Sequence, residues 1–162
     1  MSSEQHLQWE LPQDYNWEFL LAYQGRFEAK VAEWVEGPTV YKGVCWAGSP
    51  GLLRLEYCKR EKSAWCKAYY RGQALKPGLL EQRVQLILGL SQSIDPFVEK
   101  YRNHPQIGPL IAARPGLRPC GCGSPFEALI WAIVGQQVNL AVAKSMRSKL
   151  IRACGVRLPD DS

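Results

Sequence analysis

The sequence predicts an α+β fold: a small antiparallel sheet with helices, followed by a stretch that is helical throughout. Three observations predict it. Between residues 7 and 69, apolar and polar residues alternate in short runs separated by turn residues. After residue 78 apolar residues recur three and four apart, and the period of two does not return. The charge also changes along the chain. Residues 1–100 hold twelve Lys and Arg against twelve Asp and Glu, while residues 101–162 hold eight against three, which is the whole net charge of +5. Strands first and helices afterwards is the pattern of an α+β chain or of two joined units. A length of 162 residues suffices for one domain, or for a small domain and part of a second.

Leu7 to Leu11 alternates as a half-buried strand does, and Pro12-Gln13-Asp14 breaks it. Asn16 or Asp14 can cap a helix carrying Trp17, Leu20, Leu21 and Gln24. Val31–Val35 and Val40–Trp46 read as strands, with Gly37-Pro38 between them. Ala47-Gly48-Ser49-Pro50-Gly51 is a turn. Leu53, Leu55 and Tyr57 then alternate with Arg54 and Glu56. Residues 59–62 form a charged turn, and Trp65, Lys67 and Tyr69 alternate beyond it. Together these strands make an antiparallel meander with one face toward a core.

Lys76-Pro77-Gly78 ends the sheet and opens a helix with Leu80, Val84, Ile87 and Leu88 on one face. Asp95-Pro96 starts another, with Asp95 as its cap. Arg114-Pro115-Gly116 to Gly123 reads as a joint. Ser124-Pro125-Phe126-Glu127 is the clearest helix start: Ser124 caps, Pro125 takes the first helical position, and Glu127 reaches back to close a capping box. Phe126, Leu129, Ile130, Ile133 and Val134 follow as a wide apolar stripe. Gly135-Gln136-Gln137-Val138-Asn139 interrupts it, Asn139 caps a second helix over Leu140–Cys154, and Gly155 stops that helix.

Several function classes find no support. GxGxxG, Walker, HExxH and GxSxG motifs are absent, and there are two histidines, His6 and His104. The six cysteines, at 45, 58, 66, 120, 122 and 154, include no CxxC pair, so free thiols and no bound metal are expected. The N-terminus has no secretory h-region, and the longest apolar run, Ala128–Val134, is far below the roughly 20 residues that span a bilayer. A cytoplasmic protein is expected. Trp9, Trp17, Trp34, Trp46 and Trp65 read as core side chains of a thin sheet unit, and Trp131 as core or a contact between units.

One junction invites a chemical reading. The polar break Gly135–Asn139 lies between two apolar helices, and the second opens on amides able to accept a phosphate, with Lys144 and Arg147 following. A plain αα-turn accounts for the same residues.

The segments Ala112-Ala113-Arg114-Pro115-Gly116-Leu117-Arg118, Ser124-Pro125-Phe126-Glu127 and Ala132-Ile133-Val134-Gly135-Gln136-Gln137-Val138 occur in an order and spacing that resembles the DNA-3-methyladenine glycosylase II (AlkA-type) family. Tyr15-Asn16-Trp17 and Val35-Glu36-Gly37, leading to Tyr41, fit as well. The resemblance implies an N-terminal α+β domain like a TATA-binding-protein half over residues 1–92, a helical linking region over 93–123, and over 124–162 the first helices of an incomplete all-α helix-hairpin-helix glycosylase domain. It implies base flipping in double-stranded DNA with alkylated bases, and hydrolysis of the N-glycosidic bond with neither metal nor cofactor. In that family the charge-stabilising aspartate and the DNA-gripping hairpin lie well downstream of the Gly-Gln-Gln-Val segment. No catalytic residue is therefore assigned, and the 162-residue chain alone is expected to be inactive and monomeric. The position matching Gln137 enters the minor groove in the family, filling the gap left by the flipped base. The expected DNA-binding residues are Gln136, Gln137, Val138, Asn139, Lys144 and Arg147. The alternative is a non-enzymatic DNA-binding or interaction module derived from such an enzyme.

Overall fold

The computed structural model describes residues 3–26, 30–60 and 63–158. Five strands form one antiparallel sheet: β1 (Ser3–Leu11), β2 (Glu33–Glu36), β3 (Thr39–Trp46), β4 (Ser49–Arg60) and β5 (Ser63–Gly72), in the spatial order β1-β5-β4-β3-β2. The α+β reading holds, and β2 to β5 are the expected meander. β1 returns to the far edge, pairing Leu7 with Ala68 and Trp9 with Cys66.

The turn between β3 and β4 is tighter than its five turn-forming residues suggest. Only Ala47 and Gly48 lie outside the strands, and both have positive φ, 52° and 77°. That is the mirror-image turn whose twist matches a hairpin. Pro50 is thereby drawn into β4 opposite Cys45. It is tolerated because β5 pairing starts only at Leu52, so its missing N–H interrupts no ladder on that side. Of the charged turn at 59–62, residues 61 and 62 lie outside the described residues.

The core is a single cluster drawn from residues 11–88. Leu53, Leu55, Cys66, Ala68 and Tyr70 of the sheet meet Trp17 and Leu20 of α1 (Trp17–Gln24) and Val84, Ile87 and Leu88 of α2 (Leu79–Leu88). Asn16, not Asp14, caps α1, accepting from the Phe19 amide at 3.3 Å. Tyr15 donates its hydroxyl to the Leu88 carbonyl at 2.9 Å, tying the two helices over the sheet.

The tryptophans divide between the two faces. Trp17 and Trp46 are buried and Trp9 packs against the core, whereas Trp34 and Trp65 occupy the opposite face, where Trp34 stacks on Tyr41 at 4.9 Å. The core expectation fails for these two because β5 buries Cys66, Ala68 and Tyr70, leaving Trp65, Lys67 and Tyr69 on the alternate parity.

Two short helices follow, α3 (Asp95–Tyr101) and α4 (Ile107–Ala113). Asp95 is the first residue inside α3 and not its cap. The Ser93 hydroxyl accepts from the Asp95 amide at 3.2 Å and donates to its carboxylate. The joint at 114–123 then doubles back onto α1. Gly116 has φ +71°, and a Cβ there would sit 1.5 Å from the Asp14 carbonyl oxygen. Arg118 pairs with the Asp14 carboxylate at 3.0 Å.

The last two helices are α5 (Pro125–Val134) and α6 (Leu140–Cys154). Half of the expected capping box forms: Ser124 Oγ accepts from the Glu127 amide at 3.1 Å. The Glu127 carboxylate reaches one residue further back, to the Gly123 amide at 2.9 Å. Gly155 ends α6 with its N–H on the Ile151 carbonyl. No helix of the described residues is long and apolar enough to cross a membrane.

Candidate nucleic-acid interface

Local hydrogen bonds shape the α5–α6 corner. The Gly135 and Gln136 amides fold back onto the carbonyls of Trp131 and Ile133 at 3.0 and 3.2 Å. Asn139 Oδ1 accepts from the Val142 amide at 3.0 Å and starts α6. Between them the chain must reverse, and Gln137 does so with φ +56°. A non-glycine residue in the left-handed region is strained by roughly 1 kcal/mol. All five residues of the corner, Gly135 to Asn139, are exposed. The structure thus brings Gln136, Gln137, Val138 and Asn139 together at one projecting tip, beside the N-terminus of a fifteen-residue helix.

The two cations expected to join them sit elsewhere. Lys144 is partly buried and donates to the Arg26 carbonyl at 2.7 Å. Arg147 is turned inward, 9% exposed, and this corrects its placement on a DNA-facing surface. The reason is electrostatic. Its Nη1 and Nη2 donate to the two carboxylate oxygens of Glu33 at 3.0 and 3.1 Å, and Nη2 also reaches Glu127 Oε1 at 3.2 Å. Lys42 Nζ completes the group, bonded to Glu33 and, at 2.7 Å, to Glu127 Oε1. Buried Glu33, Lys42 and Arg147 and half-buried Glu127 are therefore clustered at the junction of β2, β3, α5 and α6.

Burial alone would raise the Glu33 carboxyl. The charges of Lys42 and Arg147, together with hydrogen bonds, outweigh it and hold the group well below the usual carboxylate range. For Lys42, burial acts to lower the ammonium, and Glu33 and Glu127 more than reverse this. The Trp131 ring lies beside the group, 5.0 Å from the Arg147 guanidinium carbon. The exposed cations of this part of the chain are Lys149 and Arg152 on α6 and Arg157 beyond it.

Sequence reading missed Glu33, Lys42 and Glu127 as a group. The parity of Val40-Lys42-Val44 and of Glu33-Val35 did place the two charges on the core face, and that was the available signal. Glu127 is the only carboxylate on α5 or α6, and it is committed to this cluster. Among the described residues no three His, Cys, Asp or Glu side chains come together as metal ligands would.

No family model matches the chain. It is 36% identical over 66 residues to a DNA-3-methyladenine glycosylase of Bacillus subtilis, a stretch covering 41% of this chain and 22% of that protein. It is 44% identical over 54 residues to the DNA-3-methyladenine glycosylase 2 of Escherichia coli, covering 33% of this chain and 19% of that protein. By sequence the likeness to these two glycosylases is confined to those stretches of the chain. The matched stretches span about a fifth of each curated relative. The fold agrees over a longer extent. A 3-methyladenine DNA-glycosylase from Archaeoglobus fulgidus superposes on 90% of this chain and 50% of its own, with a TM-score of 0.71 at 18% identity. The sheet with α1 and α2 is the scaffold, and the α5–α6 corner is its exposed polar projection.

Proposed function

We propose that the chain serves base-excision repair of alkylated DNA as the sheet-bearing part of a 3-methyladenine-type glycosylase, and that its α5–α6 corner enters the duplex where a base has been flipped out. The observation carrying this reading is Gln137: an exposed, left-handed, non-glycine residue at the tip of a corner that a glycine would turn more cheaply. Keeping a side chain there costs strain, so the side chain is the useful part. Its methylene stem can stack in the vacated space, and its amide can bond the polar edges of the neighbouring bases. The N-terminal amides of α6 can receive a flanking phosphate, and Lys149 and Arg152 add a salt-dependent hold on the backbone. The Glu127 carboxylate is held inward, so excision chemistry is assigned to no residue of this chain.

The test is affinity for a duplex carrying an abasic-site analogue, measured by fluorescence anisotropy. Gln137→Ala should leave the melting temperature nearly unchanged and weaken binding by roughly 1–2 kcal/mol, the scale of one base-stacking contact. Gln137→Gly should stabilise the fold by relieving the strain, yet bind as poorly as the alanine variant. Equal affinities for wild type and both variants would refute the wedge role. The 162-residue chain should release no methylated base from alkylated duplex above a protein-free control. Release would place the chemistry within this chain and overturn that part of the reading.

A further inference from the structure

The four-charge cluster lies apart from the proposed DNA contact, yet it is the most directional connection between α5–α6 and the sheet. The apolar core ends at α2, and neither α5 nor α6 contributes to it. The buried side chains of the two helices are Val134, Ala143 and Arg147, while Phe126, Leu129, Ile133, Leu140 and Met146 are exposed. Apolar packing that sparse does not define how a helix pair sits, because such surfaces tolerate sliding. A guanidinium fork seated on a carboxylate at 3.0 and 3.1 Å defines both distance and plane.

The strand partners are equally constrained. Glu33 and Lys42 face each other across the β2–β3 register, so their positions follow from the sheet. Glu127 is held by its bond to the Gly123 amide, and Gly123 is held by its carbonyl, which accepts from Trp46 Nε1 at 2.8 Å. Any shift of the helix pair would leave a buried charge without its counter-charge, an outcome more costly than a lost apolar contact.

We propose that Glu33, Lys42, Glu127 and Arg147 form a positioning device that sets the α5–α6 corner, and Gln137 with it, in a defined place relative to the sheet. Its consequence for DNA binding rests on the function proposed above; the positioning itself does not.

Charge balance distinguishes this from general stabilisation. Glu127→Gln keeps an acceptor for the Gly123 amide and leaves one buried positive charge in excess, and Lys42→Met leaves one negative charge in excess. The double variant restores balance and retains the Glu33–Arg147 fork. Arg147→Lys keeps the charge and removes the fork, and serves if either single charge variant fails to fold.

Hydrogen exchange by peptide on the 162-residue chain reads the result. Each single variant should speed exchange of α5 and α6 amides by at least about tenfold with β4 and β5 unchanged, and the double variant should return close to wild type. Exchange that accelerates equally in sheet and helices, or stays at the wild-type rate in α5 and α6, overturns the proposal. Affinity for the abasic-site duplex is measured alongside, and should fall about fivefold or more in the single variants and recover in the double. If wild type fails to bind while the exchange pattern holds, positioning stands and the DNA reading falls. If wild type and the single variants bind equally well while the exchange pattern holds, binding does not use the corner and the DNA reading falls; if exchange in α5 and α6 is also unchanged, the positioning proposal is overturned.

Discussion

Glu33→Gln isolates the electrostatic term that seats the helix pair. The Glu33 carboxylate is 2% exposed and accepts three bonds, two from Arg147 and one from Lys42. A glutamine offers one acceptor oxygen and turns an amino group toward a cation. Removing one partner from a buried ion pair typically costs about 3–5 kcal/mol. Here Glu127 remains 2.7 Å from Lys42 and 3.2 Å from Arg147, so part of the compensation survives. The expected loss is at the low end, about 3 kcal/mol, in urea unfolding followed by far-UV circular dichroism at neutral pH.

Acid adds a signature. Because the folded carboxyl lies below the ordinary value of about 4.3, its contribution is fully present above that pH and is lost as pH falls through the folded value. The variant has no such proton to take up, so the gap between it and wild type should narrow steadily as pH is lowered from about 5 toward 3. A gap below about 1 kcal/mol at neutral pH, or one that keeps its size in acid, would refute the reasoning.

Two further outcomes follow from packing. Gly116→Ala should destabilise the protein by several kcal/mol, and by more than a left-handed alanine alone would, because the new Cβ meets the Asp14 carbonyl oxygen; thermal unfolding measures it, and a shift of under about 1 kcal/mol would show that the joint yields. Thiol labelling at pH 8 should modify the exposed Cys45 and Cys154 rapidly and Cys66 only after unfolding, since burial pushes the Cys66 thiol up to about 12; comparable native rates at all three sites would contradict that burial.

The parts of the fold legible in the sequence are those held by neighbours in the chain. Asn16, Ser124 and Asn139 each accept from an amide three residues on; local reading placed Ser124 and Asn139 and left the first cap between Asn16 and Asp14. The strands were legible from their alternation, but β5 carries aromatic residues on both parities, and only packing by α1 and α2 decides that Tyr70 is buried and Trp65 is not. Arg147 illustrates the same limit at the site. Its charge suggested a surface role, although it sits four residues after Ala143, on the helix stripe that faces inward. What buries it is a carboxylate 114 residues earlier, and no local pattern announces such a partner. The corner itself was legible because a polar break between two apolar helices has few other forms. The left-handed turn at Gln137 was not, since that conformation follows from the geometry of chain reversal.

The sheet order also sets an order in time. β3, β4 and β5 are joined by short hairpins and can pair as soon as they are made, whereas β1, synthesised first, must wait for β5, more than fifty residues later. Until then Leu7, Trp9 and Leu11 have no partner strand, and their backbone is an unpaired edge available to other chains. The closing of the sheet at β1 is therefore the step at which a nascent chain is committed either to its own fold or to its neighbours.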